Sequence, residues 1–247
     1  EILMTTALLS SEKFKQHETG PGFPESPTRL DAIMDHLNQS KIINDLKVIE
    51  PTSASKDNAL LIHDKEYLER VREACDLGAP IIDTADNPIS KYSYDIALLA
   101  AGAMTQAVSS VMEGDVNNAM VLPRPPGHHA EKNQAMGFCL FNNVAIAARY
   151  AQKCYDVQKV TIIDFDVHHG NGTQHIFEED PHVLYVSTHQ YPFYPGTGTS
   201  DEVGIGKGRG ATINIPLNAD TNDDAILDIY NNSVADKVIK FDPDLLI

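Results

Sequence analysis

The chain is poor in cysteine: Cys75, Cys139 and Cys154 are the only three in 247 residues, far apart and without a CxxC pair. That spacing excludes a disulfide framework and points to a reducing compartment. Long apolar runs are also missing. The longest, such as residues 96–103, fall short of the ~18 to 20 needed to cross a bilayer, and no basic, apolar, small-residue leader opens the chain. Membrane and secretory readings are therefore set aside. The expected location is the cytoplasm, with the nucleus open if the source is eukaryotic. Basic residues are few, 19 Lys and Arg against 35 Asp and Glu, giving a net charge of −16. Direct nucleic-acid binding is not expected of such a surface, whereas cationic partners suit it.

Apolar residues make up 42% and charged residues 22%, the balance of a folded globular protein. Short β-branched runs alternate with segments of helical period, the pattern of βαβ units and a mostly parallel sheet. Strands are expected at 119–122, 160–165, 183–187, 212–215 and 245–247, and helices at 28–38, 65–75, 94–112, 141–154 and 223–239. Turn-rich stretches at 18–27, 84–93 and 190–210 interrupt without the composition of a linker, so one domain with long functional loops is expected.

Chemistry concentrates in two segments. In IIDFDVHHGNGT, 162–173, an apolar strand ends in acids and histidines, at the end of an α/β strand where ligands bind. If extended geometry persists, Asp164, Asp166 and His168 share a face. Carboxylate and neutral imidazole suit Zn²⁺, which would offset the clustered acids, and Asp164 is placed to orient a histidine. In RPPGHHAEKNQAMGFCLFNN, 124–143, the tandem His128 and His129 offer two bases. Held by Asp164 and Asn171, they could acquire different proton affinities. Chance expects about 0.4 adjacent His pairs at this composition and two occur, so position after a strand strengthens the reading more than number does. His169 reads as structural, His17, His36 and His63 as surface or packing residues, His175 as neutral, and the glycines of 204–210 as turn formers.

RPPGHHA, GFCLFNN, IIDFDVHHGNGT, YPFYPGTG and GKGRG, with a looser match from FPESPTRL at 23–30, resemble the zinc-dependent histone deacetylase family, closest to its class II branch and bacterial amidohydrolase relatives. The resemblance implies an α/β, arginase/deacetylase-like three-layer α/β/α fold with a mostly parallel central sheet. It implies hydrolysis of an acetyl group from a lysine side chain or a polyamine. Asp166 and His168 would ligate zinc, His129 would be the general base and His128 electrostatic, paired with Asn171 and Asp164 respectively. Gly137, Phe138 and Tyr194 would wall a tube for the lysine stem, Asp86 would hold the substrate backbone, and Arg29 would line an inner channel. A structural potassium ion would be bound by Asp164, Asp166 and His168, largely through backbone oxygens, with Ser187.

Phe23 stands where the family usually has His. The family's third zinc ligand, an Asp, and its transition-state Tyr or His are expected beyond Ile247, so residues 1–247 are expected to be a single deacetylase domain truncated at its C-terminal side. Two other readings stay open: an acyl-lysine-binding pseudoenzyme and a manganese ureohydrolase. A homo-oligomer is compatible with all three.

Overall fold

The computed structural model describes residues 4–247. The chain divides into two compact units, one ending at Ala151 and the other Gln152–Ile247. Among the described residues every pairing between strands is parallel, as expected for the α/β class.

In the first unit a three-stranded sheet has the order β2–β1–β3, with β1 Thr6–Leu9, β2 Leu46–Ile49 and β3 Asn118–Val121. Helices α1 (Thr28–Gln39), α2 (Lys56–Ala59), α3 (Lys65–Asp76), α4 (Ser93–Met112) and α5 (Asn143–Cys154) punctuate it. The core joins Leu8, Leu9 and Phe14 to Leu30 of α1 and to Ile96, Leu99, Ala100, Ala103 and Ala107 of α4. That α4 set is spaced to face one side of the helix expected at 94–112. By length and hydropathy α4 could cross a bilayer, which the count of consecutive apolar residues did not register; 61% of its most apolar window is buried inside the protein, the signature of a core helix. The helix expected from residue 141 begins at Asn143, because the Asn142 side chain accepts from the Ala145 amide and caps it. Phe141 instead packs on the rings of His63, Tyr67 and Tyr94.

In the second unit a four-stranded sheet has the order β6–β5–β4–β7: β4 Val160–Asp164, β5 Val183–Gln190, β6 Thr212–Leu217 and β7 Leu245–Leu246. Helix α6 (Asn171–Phe177) follows β4. The helix expected at 223–239 is α7 (Asp223–Asp228), a π-helical stretch Ile229–Val234 and α8 (Ala235–Phe241). The wide turn is compatible with a side-chain pattern that does not distinguish i+4 from i+5 bonding. Leu184, Val186 and Val234 form the core, flanked by Ile163, Ile213, Tyr230 and Phe241.

Candidate active site

The loop between β3 and α5 carries the tandem histidines. His129 is 3% exposed and His128 half-buried, their ring centroids 4.0 Å apart. A two-residue turn supports them. Met136 and Cys139 exchange backbone hydrogen bonds of 3.2 and 2.9 Å, and Gly137 and Phe138 between them both have positive φ, 56° and 69°, the signature of a type I′ turn. Gly137 is obligatory, since a Cβ there would lie 2.3 Å from His129 Cδ2. Phe138, a bulky residue in the left-handed region, is held in a strained conformation of the kind that clusters at functional sites. Its ring meets Phe23 edge-on at 5.0 Å. The residue that departs from the family pattern thus supports a proposed tube wall.

Of the buried polar residues of this unit, Glu25 and Arg124 escaped the sequence reading. His63 is buried, its Nε2 accepting from the Asn142 amide at 2.9 Å and its Nδ1 donating to the Lys132 carbonyl at 3.1 Å. It is a packing residue, as expected, and it also clips together the two arms of the tandem-histidine loop. Burial pushes its pKa down to about 4. His17, hydrogen-bonded to Ser93 at 2.7 Å, is pushed to about 3 by burial and then by the positive charge of Arg124. Arg124 itself is fully buried against Glu25. Arg29, expected in an inner channel, donates to the Pro123 carbonyl at 2.7 Å, and burial lowers its pKa. Asp86 lies half-buried at 80–89, where its carboxylate accepts from the Thr84 hydroxyl.

In the second unit, Asp164 closes β4 and pairs in register with Ser187 on β5. The Tyr185 hydroxyl donates to Asp164 Oδ2 at 3.0 Å. Extended geometry stops there, correcting the expectation that Asp164, Asp166 and His168 share a strand face. Side chain to backbone bonds take over: Asp166 N donates to Asp164 Oδ1 at 3.2 Å and His168 N to Asp166 Oδ1 at 2.8 Å, each spanning two residues as Asx turns do. The bend still brings the expected pair together, with His168 Nδ1 3.2 Å from Asp166 Oδ1. Zinc bonds of ~2.0 to 2.2 Å in a tetrahedron put neighbouring ligand atoms about 3.3 to 3.6 Å apart, so the pair's 3.2 Å is close to the short end of one such edge. Among the described residues no group of three or more His, Cys, Asp or Glu is arranged to hold a metal. What the described residues bring together is two donor atoms, Asp166 Oδ1 and His168 Nδ1.

Phe193 stacks on the His168 ring at 5.1 Å and 8°, and Tyr194 meets it edge-on at 5.8 Å. Sequence reading named Tyr194 and passed over Phe193, although both stand in PFYPG. His169 is buried and hydrogen-bonded at both ring nitrogens, to Thr197 at 2.8 Å and Gln174 at 2.9 Å, the structural role expected of it, with burial pushing its pKa to about 4. Asn171 is buried at the start of α6. The Ser187 hydroxyl is buried and hydrogen-bonded to His189 Nδ1 at 2.8 Å. His175 and His36 are exposed.

The chain is similar to known proteins in sequence and in fold. The sequence profile of the histone deacetylase domain matches residues 23–247. A probable deacetylase of Archaeoglobus fulgidus is 38% identical over 245 residues, covering 98% of this chain and 67% of the relative. The polyamine deacetylase HDAC10 of Danio rerio is 39% identical over 261 residues, covering 98% of this chain and 38% of the relative. The crystal structure of the HDA15 HD domain superposes with a TM-score of 0.93 at 36% identity, covering 99% of this chain and 70% of that one. With the motifs in order and a profile match over nearly its whole length, the chain belongs to the histone deacetylase domain family and has its arginase/deacetylase-like α/β fold.

Proposed function

We propose that the protein is a zinc-dependent hydrolase that removes an acetyl group from a lysine side chain or from an acetylated polyamine. The observation that carries this reading is the Asp166–His168 pair, two donor atoms one coordination edge apart at the end of β4, in a chain of this family. Zinc, when bound, supplies Lewis acidity toward the amide carbonyl and acidifies water. Asp166 and His168 would hold it. His129 accepts a proton from the attacking water at a ring nitrogen and returns it to the leaving amine nitrogen. By the family resemblance, His128 would take the electrostatic role with Asp164, and Asn171 would orient His129. By the family resemblance, Gly137, Phe138 and Tyr194 would wall the methylene stem, aromatic faces suiting an apolar chain, and Phe193, stacked on His168, is a further candidate for that wall. Asp86 holds the substrate backbone. Potassium would sit among backbone oxygens of Asp164, Asp166 and His168 with the Ser187 hydroxyl, offsetting the local negative charge. The net charge of −16 favours approach of cationic peptides and polyamines at low salt, in the cytoplasm.

The test is acetate release by the full-length zinc-loaded protein from an acetyl-lysine peptide and from an acetylpolyamine, before and after chelation. Release that chelation abolishes supports the proposal, and the ratio between the two substrates assigns the class. No acetate from either, with chelated and unchelated protein alike, overturns it.

A further inference from the structure

We propose that Glu25 and Arg124 are positioning residues, a buried ion pair through which the segment FPESPTR sets the place of the tandem-histidine loop. The inference rests on the deacetylase reading above for its kinetic consequence, and on geometry alone for its structural one.

Arg124 is 0% exposed, and its Nε and Nη2 donate to the two carboxylate oxygens of Glu25 at 2.6 and 2.8 Å. Its Nη1 donates to the Phe14 carbonyl at 3.0 Å. The Glu25 backbone is pinned in turn, its carbonyl accepting from the Thr19 hydroxyl at 2.6 Å. A planar guanidinium held on both forks has one orientation, unlike a surface pair that water can replace. Removing the carboxylate leaves a cation buried with only a carbonyl for company, so the arginine and its backbone must move.

That movement has little slack in which to dissipate before it reaches the histidines. Pro125 and Pro126 follow Arg124 with φ held by their rings. Asn143 Nδ2 donates to the Pro125 carbonyl at 3.1 Å, and Gly127 approaches the next strap so closely that a Cβ there would lie 2.7 Å from the Asn143 amide nitrogen. The Ala130 amide donates back to the Gly127 carbonyl at 3.0 Å, closing a turn around His128 and His129. The loop is thus fastened to α5 on one side and, through Arg124 at its start, to Glu25 on another.

The experiment compares Glu25→Gln and Glu25→Asp with the parent in full-length zinc-loaded protein, at a temperature where circular dichroism shows all three folded. It reads kcat and KM on an acetyl-lysine peptide, zinc content, and the NMR signals of the His128 and His129 rings. Glu25→Gln is expected to lower kcat by about 10- to 100-fold, as misplacement of reacting groups by up to 1 Å does, with KM and zinc content unchanged, and to move both ring signals. Glu25→Asp, which keeps the charge, should fall between. A folded Glu25→Gln protein with parental kcat and unmoved ring signals overturns the proposal and leaves the pair a purely structural one. Should the parent itself turn over no substrate, the deacetylase reading fails while the ring signals still decide the positioning role: moved supports it, unmoved overturns it. Should Glu25→Gln not fold, Glu25→Asp and Arg124→Lys decide by the same readouts.

Discussion

Substituting alanine for Gly137 tests the local geometry of the tandem-histidine loop directly. Two costs arise. The first is conformational: at φ +56° an L-residue pays roughly 1 to 2 kcal/mol. The second is contact: the new Cβ would lie 2.3, 2.6 and 2.9 Å from Cδ2, Cγ and Cβ of His129, all inside the 3.0 Å that real Cβ atoms respect. Relief of the closest contact requires the His129 ring to withdraw by at least 0.7 Å, the difference between 3.0 and 2.3 Å. Because the ring is 3% exposed it has no free space to enter, and overpacking of this kind costs about 1 to 3 kcal/mol more. Gly78, just past the end of α3, supplies the control, with φ +69° and no atom within 4 Å of its added Cβ. Gly78→Ala should lose only the conformational part. Urea unfolding of both variants should therefore differ by about 1 to 3 kcal/mol, with similar m-values. In the full-length zinc-loaded protein, Gly137→Ala should lower kcat about 100-fold and Gly78→Ala should leave it unchanged. Equal destabilisation of the two variants with equal, parental kcat would refute the packing of His129 on this turn.

The remaining predictions concern the buried His63, the Asp166–His168 pair and the ring of Phe193. His63 has a folded pKa of about 4 against 6.5 unfolded, so its contribution to stability is present above pH 6.5 and is lost as the pH falls toward 4, because only the unfolded chain takes up the proton. At about 1.4 kcal/mol per unit this amounts to about 3 kcal/mol; urea titrations between pH 7 and pH 4 measure it, and a stability no less pH-dependent in His63→Gln than in the parent sinks the assignment. Asp166→Asn keeps the side-chain shape but removes the anionic donor, so zinc retained after dialysis of the full-length protein should drop well below that of the parent; equal metal content would remove Asp166 from the ligand set. Phe193→Ala strips the stacked ring from His168, and loss of roughly 0.5 to 1.5 kcal/mol of aromatic contact should raise KM for an acetyl-lysine peptide by about 2- to 10-fold. An unchanged KM there, with a raised KM in Tyr194→Ala, would return the stem-binding role to Tyr194 alone.

The class of fold and the segments that bear chemistry were legible in the amino-acid sequence, because both depend on short-range pattern. Strands β4 and β5 open on largely apolar, β-branched runs, VTII and VLYV, recognisable without knowledge of their neighbours, and the apolar stripe of α4 repeats within a single helix. By contrast β1 and β2 went unread, and pairing defines them, β1 lying between β2 and β3. The nearness of Asp166 and His168 was readable from a two-residue spacing, but the turn that produces it was not, since it arises where β4 ends and side-chain oxygens capture the next amides. What only tertiary structure decided are pairings across long separations: His63 with Asn142 over 79 residues and Arg124 with Glu25 over 99. No local period encodes these, and nothing in composition separates a surface histidine or arginine from a buried one. Burial makes the difference, by removing the water that would otherwise satisfy those groups and leaving each dependent on one distant partner.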